Sequence, residues 1–161
     1  YSCGLRISEL TSLQISNLFL DDGFIRIQGK GNKERLVPIS ARAVRELRMW
    51  FEVRRHIDVK PGFEDYVFVS RTRGKNLSRI SLFVFIQRYA AQAGITKEIS
   101  PHTFRHSFAT HLLQGGANLR AIQDMLGHES LGTTEIYMHM DTGHLREQLL
   151  NCHPRGKKKT N

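Results

Sequence analysis

The sequence predicts a mostly helical α+β domain with a small three-stranded antiparallel sheet. Three observations predict it. Apolar residues recur at helical spacing over most of the chain, "GFIRIQGKGNKERLVPIS" alternates apolar and polar residues about a glycine-rich turn, and serine or proline stands where several helical stretches begin. With 161 residues, 40% apolar and 24% charged, the chain is large enough to bury one proper core. Residues 1–152 are expected to form that domain and 153–161 a basic, disordered tail.

Each element has its own reason. In "LRISELTSLQISNL", Leu5, Leu10, Leu13, Ile15 and Leu18 follow good helix formers, which reads as a short helix running into a turn. The alternating stretch predicts a β-hairpin with Gly29-Lys30-Gly31-Asn32-Lys33 at its tip, so that a lysine is held out on a stiff arm. Ser40 can cap a helix through "ARAVRELRMWFEVRRHI", with Val44, Leu47 and Phe51 as an apolar stripe and Arg42, Arg45, Arg48 and Arg54 as a basic face. Past Pro61 and Gly62, "YVFVS" predicts a third strand. Ser78 then opens "SRISLFVFIQRYAAQAG", a well-buried helix ended by Gly94. From Pro101 the pattern predicts helices at 101–114, 118–126, 130–138 and 142–151.

Charge narrows the function. The formal net charge is +9, of which Arg155, Lys157, Lys158 and Lys159 in the tail supply four, leaving +5 on residues 1–152. A body that is itself basic points to a polyanionic partner, most often nucleic acid. Cys3 and Cys152 stand at opposite ends, which argues against a disulfide framework or a structural zinc site. No run of 18 apolar residues and no signal-like segment appears, so neither a membrane span nor secretion is expected. The chain starts at Tyr1 without a methionine, as a fragment of something longer would.

The most unusual stretch is "SPHTFRHSFATHLLQGG", residues 100–116. Pro101 suits a first helical turn, which sets His102 and Arg105 on one face near the positive end of the helix dipole, where anions are favoured. Phe104, Phe108, Leu112 and Leu113 are expected inside, and His106 and His111 read as ordinary hydrogen-bonded residues. A zinc site at His102 and His106 lacks a third ligand and the glutamate of an HExxH pattern. Three further positions repeat the pattern of cations suited to an anion, and a tyrosine accompanies them. Arg6 precedes Glu9 by one turn, so the carboxylate can hold its guanidinium; Lys30 is at the hairpin tip; His128 follows the helix-ending Gly127; Tyr137 lies nine residues on. Each alone also fits a structural role. Together they form a set that no core needs.

The blocks "GLRISEL", "GKGNKERLVPI", "SPHTFRHSFATHLL" and "LGHESLGTTEIYMH", in this order and at these spacings, resemble the catalytic domain of the tyrosine recombinases, the phage integrase family, and most closely its bacterial Xer-type members. The resemblance runs to about residue 154, and the blocks are jointly specific. It implies the fold of the DNA breaking and rejoining enzymes, with the preceding core-binding domain and the first catalytic-domain helix missing. The implied activity is site-specific recombination through a 3′-phosphotyrosine, chemically like a type IB topoisomerase, with no ATP, metal or other cofactor. Tyr137 would be the nucleophile, Arg6 and Arg105 a clamp on the non-bridging oxygens, His128 a further donor, Lys30 the acid for the leaving oxygen, His102 an aid to proton transfer, and Glu9 a supporting residue. The partner implied is a double-stranded recombination site bound by a homo- or hetero-tetramer joined through the last helix, "TGHLREQLLNC", from a chain that is monomeric when free; the apolar side of that helix, Leu145, Leu149 and Leu150, equally fits packing on its own domain. The place implied is the bacterial cytoplasm, on the nucleoid when acting.

Arg26, Lys33, Arg35, Arg71, Arg73, Lys75 and Arg79 are the candidates for contact with DNA, chiefly its backbone. Two other classes compete. A catalytically silent DNA-binding module would keep the basic faces but would have no reason to keep Tyr137 in register with His128, and a metal-dependent nuclease would need acidic ligands, whereas Asp124, Glu129 and Asp141 are scattered.

Overall fold

The computed structural model describes residues 1–29, 31, 33–127 and 142–154. Lys30, Asn32, His128–Asp141, which include Tyr137 and the helix expected at 130–138, and the tail 155–161 lie outside the described residues.

The order of elements is α1 (Ile7–Thr11), a 3-10 turn (Ile15–Asn17), β1 (Leu18–Phe19), β2 (Phe24–Gln28), β3 (Glu34–Pro38), α2 (Ala41–Arg54), α3 (Arg79–Gln92), α4 (Pro101–Gln114), α5 (Leu119–Leu126) and α6 (Thr142–Cys152). The strands form one antiparallel sheet in the order β1-β2-β3. The hairpin is where the alternation placed it, with Ile25 opposite Val37 and Ile27 opposite Arg35. The third strand is not "YVFVS" but Leu18–Phe19. Residues 66–70 make only isolated bridges, Gln14 with Tyr66 and Val69 with Asn76. Their backbone is committed elsewhere: the Val67 amide donates to the Leu13 carbonyl at 2.9 Å and the Val67 carbonyl accepts from Trp50 Nε1 at 2.8 Å.

Among the described residues two apolar clusters carry the fold. Ile25, Ile27, Val37, Ile39 and Val67 are buried against Val44, Leu47, Trp50 and Phe51 of α2. Phe108 and Leu112 of α4, Ala121, Ile122, Met125 and Leu126 of α5, and Leu145 and Leu149 of α6 form the second. Phe104 and Leu113, expected inside, are 40% and 55% exposed. His153, assigned to the tail, is fully buried, its ring 5.4 Å from that of Phe108, so the packed region runs past Cys152. Cys3 and Cys152 carry free thiols, and burial pushes that of Cys3 up to about 11.

Serine caps explain the helix starts. Ser40, Ser78 and Ser100 each accept from the backbone amide three residues on, and Pro101 occupies the first turn of α4. Helix α3 departs from the expected burial. Ile80 is 76% exposed and Tyr89 67%, and only Ala90 of that helix is buried. Among the described residues no helix is long and apolar enough to cross a membrane.

Candidate active site

The sequence-predicted Arg6, Glu9 and Arg105 are brought together at the C-terminal end of α5, and they are joined there by an arginine expected elsewhere. Arg6 is the N-cap of α1, which places Glu9 one turn later with its carboxylate turned back. Glu9 Oε2 accepts from the Arg6 backbone amide at 2.8 Å and Glu9 Oε1 accepts from Arg6 Nη1 at 2.9 Å. Arg105 reaches the same place from the first turns of α4. Its Nη1 donates to the Gly4 carbonyl at 2.6 Å and its Nη2 to the Leu126 carbonyl at 2.7 Å.

Arg35 is the correction. It was expected to meet phosphates from the hairpin, but it is 5% exposed. Its Nη1 and Nη2 donate to Glu9 Oε1 and Oε2, both at 2.9 Å, and its Nε donates to the Met125 carbonyl at 2.9 Å. A signal for this was present in the sequence. In "ERLVPI" the two-residue period puts Arg35 on the face of Val37 and Ile39, both buried, with Leu36 turned outward.

Three guanidinium groups from three elements therefore take three successive carbonyls at the end of α5: Arg35 on Met125, Arg105 on Leu126 and Arg6 on Gly127, the last at 3.2 Å. The C-terminal end of a helix favours cations, because its last carbonyls lack intrahelical partners. Glycine makes the geometry possible at both ends. Gly127 has φ 64°, and a Cβ there would lie 3.0 Å from Arg35 Nη1. Gly4, at φ 59°, presents its carbonyl to Arg105 where a Cβ would meet the Phe108 ring at 2.5 Å.

Among the described residues the cluster holds three cations and one carboxylate. Burial opposes ionisation of Glu9, but the hydrogen bonds from Arg35 and from the Arg6 amide, with the charge of Arg35, outweigh it and hold the carboxyl below its ordinary value of 4.5. Arg105 is lowered to about 10, first by burial and then by repulsion from Arg6 and Arg35, which Glu9 only partly offsets. It remains a cation at neutral pH. The Arg6 side chain is 40% exposed, so part of this positive charge faces solvent.

His102 stands exposed on the first turn of α4, three residues before Arg105. Lys30, His128 and Tyr137 lie outside the described residues, although Gly127, which holds Arg6, directly precedes His128. His111 is a structural residue, its Nδ1 2.6 Å from the Tyr1 hydroxyl, and His106 is exposed. Lys33, Arg71, Arg73, Lys75 and Arg79 are exposed; Arg73 Nη2 donates to Ser81 Oγ at 2.9 Å and Lys75 lies over the Phe63 ring. Arg26 is half-buried and donates to Asn17 Oδ1 at 2.9 Å. Among the described residues no group of three or more His, Cys, Asp or Glu is placed to hold a metal ion.

Residues 1–144 match the Phage integrase family. The chain belongs to that family. It is 47% identical to the tyrosine recombinase XerD of Chlorobaculum tepidum over 156 residues, which are 97% of this chain and 51% of that protein. Its fold matches the crystal structure of XerA recombinase with a TM-score of 0.72 at 36% identity, covering 95% of this chain and 54% of that one. It also matches XerH site-specific recombinase bound to a palindromic difH substrate in a post-cleavage complex, with a TM-score of 0.69 at 36% identity, covering 90% and 41%. The fold is thus that of a tyrosine recombinase catalytic domain, and the chain spans about half the length of the curated relatives it matches.

Proposed function

We propose that this chain carries the strand-transfer chemistry of a site-specific DNA recombinase. The observation that carries the reading is the convergence of Arg6 and Arg105 on adjacent carbonyls, in a cluster where, among the described residues, three guanidinium groups face one carboxylate. Such a pair suits the two non-bridging oxygens of a phosphodiester, where negative charge builds as an oxygen nucleophile attacks. The family membership and the likeness to a recombinase in a post-cleavage DNA complex support it.

In this reading the Tyr137 phenol oxygen attacks the scissile phosphorus and gives up its proton, with His102 assisting the transfer. The bond from phosphorus to the 5′ oxygen breaks, and Lys30 protonates that oxygen. The product is a 3′-phosphotyrosine and a free 5′ hydroxyl. Attack by a 5′ hydroxyl from a second strand reverses the step, so the phosphodiester energy is kept and no nucleotide is spent. Arg6, Arg105 and His128 hold the non-bridging oxygens throughout. The catalytic domain is taken as residues 1–152 together with the buried His153. Lys33, Arg71, Arg73, Lys75 and Arg79 contact the DNA backbone, the protein works in the cytoplasm, and protomers join in a tetramer on the site through the side of α6 that Leu145 and Leu149 leave free by packing into this domain's own core.

The test is a nicked suicide substrate carrying the native site, incubated in EDTA with the full-length protein. A denaturant-resistant adduct in the wild type, absent in Tyr137→Phe, supports the reading. Binding without an adduct would favour a silent DNA-binding module, and cleavage that needs added metal would favour a nuclease.

A further inference from the structure

We propose that Arg35 is a positioning residue for the reaction, acting through Glu9 on Arg6; the inference rests on the strand-transfer reading above. Each oxygen of the Glu9 carboxylate is shared. Oε1 accepts from Arg35 Nη1 and Arg6 Nη1, and Oε2 from Arg35 Nη2 and the Arg6 amide, all between 2.8 and 2.9 Å. Arg35 grips the carboxylate with both prongs of its fork from the buried face of the sheet, which fixes the plane in which Arg6 must dock.

The arrangement also settles where the charge goes. A lone pair of Arg6 and Glu9 would be neutral, and Glu9 would compete with any incoming phosphate for the same guanidinium. Here the buried Arg35, 5% exposed, already matches the carboxylate. Arg6 is therefore oriented by Glu9 without being neutralised by it, and its positive charge stays available at the exposed side. The third N–H of Arg35, on the Met125 carbonyl, ties the same side chain to the helix end whose next two carbonyls hold Arg105 and Arg6. Its guanidinium also lies directly under Gly127, closer than a Cβ could stand comfortably. One side chain thus sets the register of both part-buried arginines, Arg6 and Arg105. A buried ion pair kept only for stability would be replaceable by apolar groups at little cost. A positioning role predicts losses in rate that outlast preserved folding.

The experiment compares Arg35→Met and Arg35→Lys in the full-length protein, each confirmed folded by thermal unfolding. Three quantities are read: affinity for the site, the single-turnover rate of adduct formation at saturating DNA, and the ¹⁵N guanidinium signals of Arg6 in the DNA-free protein, assigned with Arg6→Lys. The expected result is unchanged affinity, an adduct rate lowered about 10²-fold in Arg35→Met, as misplacement of a positioning group costs, and a smaller loss in Arg35→Lys, which returns the charge without the fork. Arg6→Lys added to Arg35→Met should cost no more than the larger single loss. Should Arg35→Met not fold, Arg35→Lys carries the same cycle. A folded variant with wild-type rate, or losses that multiply, would overturn the proposal. If the wild type forms no adduct, the strand-transfer reading fails instead. The Arg6 signals then still decide the linkage: slowly rotating in the wild type and averaged in the Arg35 variants supports it, and identical spectra sink it.

Discussion

Two basic regions of this molecule hold their cations in opposite ways. At the end of α5, Arg6, Arg35 and Arg105 are each fixed by a backbone carbonyl, and Glu9 ties two of them together. In the segment from Arg71 to Arg79 the cations are exposed, with Arg73 bonded to Ser81 and Lys75 resting on the Phe63 ring. A fixed, partly desolvated cation costs the fold something and gives a defined geometry in return, which a transition state can use. A solvated cation on a mobile stem gives attraction without geometry, which is enough for a polyanion. The same residue types are therefore expected to fail differently when mutated in the two regions.

The largest effect should come from Glu9→Gln. It leaves Arg35 buried without its counter-charge, and loss of one partner of a buried pair costs about 3–5 kcal/mol. The melting temperature of the variant relative to wild type measures this. The pH dependence has a definite sign. Because the folded Glu9 carboxyl titrates below 4.5, its contribution is fully present above that value and is lost as pH falls through the folded value. Wild-type stability should drop in that acidic window, and the Glu9→Gln variant should lack that part of the drop. A variant that melts like wild type would show that the carboxylate is not what holds the arginines.

Next in size is Arg105→Lys. A lysine keeps one charge but cannot bridge the Gly4 and Leu126 carbonyls while offering a second prong outward. The adduct rate should fall roughly 10²- to 10³-fold, as for loss of one transition-state donor, with site affinity nearly kept. Arg105 is lowered to about 10 first by burial and then by repulsion from Arg6 and Arg35, and a bound oxoanion offsets that repulsion. Sulfate should accordingly raise the melting temperature of wild type more than that of Arg105→Gln.

The contrast between the regions also explains what was legible in the sequence. The hairpin, α2, α4 and α5 were visible because period and a start or stop signal agreed there, as Ser40, Pro101 and Gly127 show, and α6 was visible by its period alone. Arg6 and Glu9 were legible as a pair because a one-turn spacing is local. The charge of Arg35 suggests an exposed contact, whereas its strand phase with Val37 sets it on the buried face, and its partner Glu9 lies 26 residues away. "YVFVS" has strand composition, but its backbone is taken by Leu13 and Trp50, a tertiary fact with no local sign. Helix α3 was expected to be buried because it is rich in apolar residues, yet composition does not say which neighbour covers a face, and Ile80, Val84 and Tyr89 are exposed.

A smaller effect separates backbone from side chain. Gly127→Ala forces a Cβ into the left-handed region and against the Arg35 guanidinium, which should cost about 1–3 kcal/mol. It should also slow adduct formation, since the Gly127 carbonyl holds Arg6. If stability falls and the rate per folded molecule does not, the α5 end supports the fold without aiming Arg6.

The smallest effects belong to the solvated region, and they test the other half of the comparison. Arg71→Gln and Arg73→Gln remove exposed charges, so stability should be near wild type. If each neutralises one phosphate, the slope of log affinity against log salt should become shallower by about 1 per substitution. The adduct rate at saturating DNA should not change, because neither side chain belongs to the cluster at the end of α5. A rate loss at saturation would mean that the Arg71–Arg79 segment also positions the phosphate, and the division between fixed and solvated cations would have to be redrawn to include it.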